Sequence, residues 1–321
     1  MLFKNASEQA EIRKSLSVQR ALNSSGAGAV LVQPVVDTII ANLVEYRNPL
    51  RANLPRLPGS GQAWLLNRRS APGTTPATWL ADTGAPVEDN GSYARTTFTY
   101  RSLVARGQVT RLLQATGRTY TDILAEEMEL RAQDVGNTED QAWLIGNNTD
   151  DSAQPDGLCV LITAGQCVLA TTASPGEHLT LEEVDEAIDT CRYNPNMLIG
   201  SKRTRRQMES LLRANQMTVN QIEVNGGFQL LSYNGIPVYV STNMVDTKNF
   251  NGTRNTAETG GTASELYVVD TDNTWIGELT PMTMAPLART TSQYDEFDIY
   301  EDVVEVVRDP AANAKLIGIA P

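Results

Sequence analysis

The chain holds one histidine, His178, in 321 residues. A Ser/His/Asp-type hydrolase needs a base within hydrogen-bonding reach of its nucleophile. His178 sits in a turn-like stretch, SPGEHLT, and no G-x-S-x-G occurs anywhere. Cysteine is scarce too: Cys159, Cys167 and Cys191, an odd number without C-x-x-C spacing. A disulfide framework is therefore not expected, and a zinc site would have to draw on carboxylates for its ligands. Reduced, buried, structural thiols are the expectation. There is no G-x-x-x-x-G-K-S/T loop, and GAGAV at 26–30 is too short and wrongly placed for a dinucleotide fingerprint. No apolar run approaches the ~20 residues of a membrane helix. Ala29–Val32 and Val35–Val44 are short and interrupted by Gln33, Pro34, Asp37 and Asn42. The start, MLFKNASEQAEIRKS, has no secretory apolar core, so assembly in a cytosol is expected. These absences leave no catalytic residue, no cofactor and no metal to assign.

Positive charge is also short. Lys and Arg number 26 against 38 Asp and Glu, a net charge of -12. Free-standing nucleic-acid binders are usually basic, so sequence-specific recognition of DNA or RNA is not expected. Only five of the basic residues are lysines: Lys4, Lys14, Lys202, Lys248 and Lys315. Paired carboxylates such as Glu182/Glu183 and Asp150/Asp151 read as solvated surface. The run Lys202, Arg203, Arg205, Arg206 reads either as a solvated face or as one side of an intersubunit salt bridge.

What is present suits a folded chain. Hydrophobic residues make up 41%, and the length allows about two domains or one large one. Residues 6–22 read as a polar helix and 35–46 as a short amphipathic one. Strands are expected at Gln62–Asn67 and Ala94–Ala105, joined by a Pro/Gly/Thr-rich stretch, APGTTPATWLADTGAPVEDNGS. A two-stranded ribbon of this kind is marginal alone, so it must lie on its own domain or on another chain. The longest helix is expected over 118–147, capped by Thr119 or Thr121, with Asp122 favouring its dipole and Gly136 as a bend. Its apolar stripe is Leu124, Met128, Ala132, Val135, Ala142 and Ile145, with a gap at Glu139. The acidic face, Glu126, Glu127, Glu129, Asp134, Glu139 and Asp140, is expected to be solvated. DDSAQPDG at 150–157 marks a boundary. Beyond it, Thr180 and Glu183 form a capping box before a helix to about Arg192. A strand at Asn196–Gly200, an Arg-rich helix at Lys202–Asn215 and a strand at Ile236–Ser241 follow. Residues 246–263 read as an exposed loop, and strands at Leu266–Asp270 and Asp298–Arg308 close the chain.

The order of these elements, with several local motifs, resembles the major capsid proteins of tailed double-stranded DNA phages, the Hong Kong 97 fold. SSGAGAVLVQP at 24–34 is similar to the Gly-rich segment after the family's N-terminal arm, and ATWLADTGAPVED at 77–89 to its extended loop. LAEEMELRAQDVGNTEDQAWLIGNN, followed by PDGL, resembles the long spine helix. NGIPVYVSTNM at 234–244, SELYVVDTDNTWIGEL at 264–279 and YEDVVEVVRDPAANAKLIGI at 300–319 resemble the closing strands. The resemblance covers nearly the whole chain. It implies an α+β fold with an arm (1–32), a peripheral domain (33–56, 107–150 and 286–309), an extended loop (57–106) and an axial domain (151–285 and 310–321).

The resemblance also implies a function: a shell protein that builds pentamers and hexamers from its own copies and encloses double-stranded DNA through weak, non-specific contacts. Portal, separate scaffolding and decoration proteins would be partners, and no membrane would be involved. The location would be the virion, assembled in the host cytoplasm. Expected subunit-interface residues are Trp64, Trp79, Phe98, Arg101, Arg203 and Arg206. An encapsulin-type compartment is the alternative within the fold, and a soluble α/β enzyme using a carboxylate pair is the alternative outside it. Some shells of this family join subunits by a Lys–Asn bond with a buried Glu as base. The loop at 57–106 has Arg68, Arg69, Arg95, Arg101 and Arg106 but no lysine. A guanidinium stays protonated, so a non-covalent shell is expected.

Overall fold

The computed structural model describes residues 47–74, 77–117, 122–171, 176–215, 221–224, 228–250, 256–257, 260–287 and 293–321. The expected arm and the helices at 6–22 and 35–46 lie outside these residues. In chain order the elements begin with α1 (Pro49–Asn53), β1 (Arg56–Pro58), β2 (Ala63–Ala71), β3 (Ser92–Thr99) and β4 (Arg101–Thr110). Next come α2 (Arg111–Gly117), the long α3 (Ile123–Ile145), α4 (Leu158–Leu161), β5 (Cys167–Leu169) and α5 (Leu181–Thr190). Then follow β6 (Met197–Gly200), α6 (Lys202–Ala214), β7 (Gln221–Val224), β8 (Phe228–Tyr233) and β9 (Ile236–Val240). The chain closes with β10 (Asn249–Phe250), β11 (Thr256–Ala257), β12 (Ser264–Val269), β13 (Thr274–Pro286), β14 (Tyr294–Val307) and β15 (Ala314–Ile319).

Alternation along β14 builds the first layer. It is central in a sheet of order β1-β13-β14-β4. Successive strand side chains point to opposite faces. Phe297 and Ile299 pack with Val135 of α3, while Val303 and Val307 pack with Trp143 and Leu144 of the same helix. Val304 and Val306 point the other way, onto Trp275, Trp64 and Phe98. Both faces of this strand are covered, which is why its valines run almost continuously. The second sheet has seven strands, β5-β15-β12-β6-β9-β8-β7. Leu266 and Val268 of β12 lie in one core with Val184 and Ala187 of α5 and Met208 and Leu212 of α6. Tyr267 and Val269 face the opposite way, toward Leu158, Ile162 and Trp143. The parallel steps β5 to β6 and β6 to β9 carry α5 and α6 as their crossovers.

Local signals are realised where they are strong. Thr180 and Glu183 form the expected capping box at the start of α5, and Ser201 caps α6. Other expectations change. Ala94–Ala105 is not one strand: the chain breaks at Tyr100, β3 pairs with β2, and β4 pairs along β14 from Arg101↔Val303 to Thr110↔Tyr294. Residues 101–106 therefore belong to the four-stranded sheet and not to the ribbon. Thr274–Pro286, assigned above mostly to the axial domain, is also in that sheet, because it hairpins onto β14. Asp122 itself caps α3, accepting from the Ala125 amide at 3.3 Å; Thr119 and Thr121 lie outside the described residues. The helix α3 runs without interruption through Gly136. A Cβ there would stand 3.2 Å from Arg51 Nε, a tight contact with that side chain. Glu139 and Asp140 are buried instead of solvated. In the expected loop at 246–263, Lys248, Phe250 and Ala263 are buried as well.

Candidate assembly interface

The β2–β3 ribbon has two unlike faces. Trp64 stands opposite Phe98 in the ladder, and both join Trp275, Val304 and Val306 on the chain's own sheet. The Trp64 and Trp275 rings meet edge to face, 6.0 Å apart at 66°. Arg68 lies over the Phe98 ring at 5.9 Å and donates to the Val307 carbonyl. The other face is open, with Leu65 and Tyr93 exposed. Beyond the paired part, the described residues between β2 and β3 form neither helix nor strand. Trp79 there is fully exposed at 104%, flanked by exposed Leu80 and Val87. Soluble monomers rarely leave such apolar surface uncovered unless something binds it.

The six expected interface residues divide in two. Trp64 and Phe98 anchor the ribbon to its own sheet. Arg101 donates to Asn148 Oδ1 at 2.6 Å and lines a cavity of about 200 Å³ with Leu103, Glu139, Trp143, Pro155 and Val303. Arg203 holds Ser264 Oγ at 2.6 Å and the Thr262 carbonyl at 2.5 Å. Trp79 and Arg206 are left facing outward. Arg206 is exposed and has no carboxylate partner among the described residues.

Beneath α3 lies a charged layer. Arg51 pairs with Glu139 and reaches Glu301 at 3.4 Å. Arg56 pairs with Glu139 at 2.5 Å and with Glu278 at 3.1 Å. Asp140 accepts from the Arg51 amide at 3.0 Å and from Ser241 and Asn243. Glu305, two residues beyond Val303 on the same strand, is buried and neither oxygen has a hydrogen-bond partner among the described residues. Two guanidiniums thus pair with three carboxyls, Glu139, Glu278 and Glu301, and neither pairs with Asp140 or Glu305. Burial raises the pKa of Asp140 and Glu301, with Arg51 and Arg56 partly opposing the shift at Glu301. Burial, with Asp140 nearby, holds Glu305 well above the ordinary glutamate value. This layer bolts the segment α1–β1 and the helix α3 to β13 and β14. Sequence reasoning passed over Arg51 and Arg56. The available signal was the gap in the apolar stripe of α3, since Glu139 occupies a position where a core residue falls due.

The raised value at Glu305 has a sign that can be checked. A carboxyl that stays protonated when folded contributes fully below its unfolded value of about 4.5, and that contribution is lost as pH rises through the folded value. Glu305→Gln carries no charge at any pH. Urea midpoints of the free subunit should therefore show the variant gaining on the wild type as pH is raised above about 4.5. Parallel curves from pH 4 to 8 would mean the carboxyl is ionised at no cost.

The seven-stranded sheet has its own buried charge. Lys248 Nζ meets Glu265 Oε2 at 2.8 Å, and Tyr267 donates to the same oxygen at 2.8 Å. Lys315 donates to the Cys159 carbonyl at 2.8 Å. Among the described residues Cys159, Cys167 and Cys191 form no disulfide, and burial pushes Cys191 up to about 12. That keeps it out of the thiolate form on which reactivity depends. His178 is exposed just before the α5 cap. Among the described residues no group of three or more His, Cys, Asp or Glu is arranged to hold a metal ion.

Comparison with known proteins agrees with this picture. The phage capsid family matches the chain over residues 28–312. No curated protein matches it by sequence. Among solved structures, the capsid of a native GTA particle superposes with a TM-score of 0.69 at 18% identity, covering 94% of this chain and 100% of that one. The structure titled Mycobacterium phage Bobi gives 0.67 at 16%, covering 92% and 98%. An encapsulin complex from Synechococcus elongatus PCC 7942 gives 0.68 at 11%, covering 92% and 95%.

Proposed function

Because this chain belongs to the phage capsid family, and so is a structural protein of the virion shell that works in contact with its own copies, we propose that it forms the icosahedral shell around the double-stranded DNA of a tailed virus. The observation that carries this reading is the β2–β3 ribbon, whose tip leaves Trp79, Leu80 and Val87 uncovered among the described residues. Copies supply the missing surface. The ribbon is the extended loop. The four-stranded sheet with α3 is the peripheral domain, and the seven-stranded sheet with α5 and α6 is the axial domain of pentamers and hexamers. Heterologous contacts of this kind close into rings and shells. Portal, a separate scaffold and a decoration protein complete the particle in the host cytoplasm. A net charge of -12 keeps the shell from gripping the packaged DNA.

Electron microscopy of the full chain, expressed alone and with scaffold, tests this. Rings, sheets or closed shells are expected. A monomer under every condition, by light scattering, would sink the proposal. Particles filled with a packaged protein in place of DNA would favour an encapsulin-type compartment.

The shell should be non-covalent. A crosslinking amine must lose its proton to become a nucleophile. The loop has no lysine, and Lys248 and Lys315 are tied up inside the seven-stranded sheet. Boiled, reduced particles should run as one band near 35.0 kDa in denaturing gels. A ladder of larger species would refute this and implicate Lys4, Lys14 or Lys202.

A further inference from the structure

Helices α5 and α6 lie on one face of the seven-stranded sheet and share a core there. Their outward sides carry opposite charge. α5 has Glu182, Glu183, Asp185, Glu186 and Asp189 and no basic residue, while α6 has Lys202, Arg203, Arg205, Arg206 and Arg213 against Glu209 alone. Some of these charges serve their own chain. Glu183 closes the capping box, Asp185 accepts from Tyr233 at 2.7 Å, and Arg205 and Arg213 reach Glu209 at 3.5 Å. The exposed members fall into two stripes of like charge at helical spacing, Glu182–Glu186–Asp189 and Lys202–Arg206–Arg213.

Both stripes work against their own helices. Like charges four residues apart, as in Glu182/Glu186 and Lys202/Arg206, destabilise an isolated helix. The basic residues crowd the positive N-terminal end of α6, whose first turn has no acidic residue, and Asp189 sits at the negative C-terminal end of α5. No ion pair joins the two helices among the described residues. A packaged nucleic acid would suit α6 but be repelled by α5 on the same face. A second copy of this chain satisfies both stripes at once.

We infer that the basic stripe of α6, centred on Arg206, docks on the acidic stripe of α5, centred on Glu186, of a second copy. The inference rests on the capsid reading and names one of the contacts by which copies associate. Each chain offers both patches, so the contact repeats from copy to copy.

The test uses the full chain with Arg206→Glu, Glu186→Arg, and both together. Each single reversal should cut the yield of rings and shells about tenfold, because it sets like charges face to face. The double variant should restore most of the yield, since every Glu at 206 then meets an Arg at 186. Circular dichroism should match the wild type throughout, as both positions are exposed. Single variants that assemble normally beside wild-type shells would overturn the contact and leave the capsid reading standing. So would a double variant no better than the singles. Arg206→Glu shells that form normally but hold less DNA would assign the stripe to nucleic acid and likewise overturn the contact. A wild-type chain that never assembles would overturn both.

Discussion

Arg51→Ala should cost the subunit about 3–5 kcal/mol at neutral pH, because removing one partner of a buried ion pair strands the other. Arg51 touches Glu139 and Glu301, and both carboxylates are almost wholly buried. Without the guanidinium, one of them must stay charged in the interior or take up a proton. The deficit should therefore shrink as pH falls toward ordinary carboxyl values, where protonation costs little. Urea unfolding of the free subunit at pH 7 and pH 5 measures both effects. Arg51→Met combined with Glu301→Met should lose much less than Arg51→Ala, since a buried pair replaced by apolar groups of similar volume is often neutral. A loss under 1 kcal/mol for Arg51→Ala would mean that Arg56 alone neutralises the layer.

Deleting 72–91 and closing β2 to β3 with a short turn should leave folding intact and stop assembly. The inner face of the ribbon, Trp64, Leu66 and Phe98, stays on its own sheet after the deletion. The removed segment contributes exposed residues, with Trp79 at 104%. Covering an indole of roughly 200 Å² supplies about 5 kcal/mol to whatever contact it makes. Repeated around a shell, such a loss is not made up by rim contacts. Circular dichroism and thermal unfolding of the deletion variant should resemble the wild type, while sedimentation shows only small species. A variant that unfolds would place the tip in its own subunit's core. One that assembles normally would remove the ribbon tip from the interface.

Trp79 and Trp64 show how far the sequence carries toward the site. Both stand in a ribbon too thin to fold alone, and both were expected at the subunit interface. Ladder pairing separates them: Trp64 falls on the face toward Trp275, and Trp79 lies in the unpaired tip. A period-two pattern states which residues share a face but not which face meets a neighbour of the same chain. Arg203 and Arg206 also divide, since Arg203 reaches Ser264 and the Thr262 carbonyl while Arg206 is exposed.

The sequence by itself determined what depends on near neighbours. The Thr180–Glu183 box starts α5, and the valine run at 303–307 marks the core of β14. The tertiary structure alone decided the fate of the charges. Glu139 and Asp140 look like any solvated pair on an acidic helix, and Lys248 looks like a loop lysine. They are buried because partners arrive from far along the chain: Arg56 is 83 positions from Glu139, and Arg51 is 250 from Glu301. A carboxylate in the interior is tolerable only when a cation and hydrogen bonds meet it there. That meeting is fixed by how α3 crosses β13 and β14, and no local pattern encodes it.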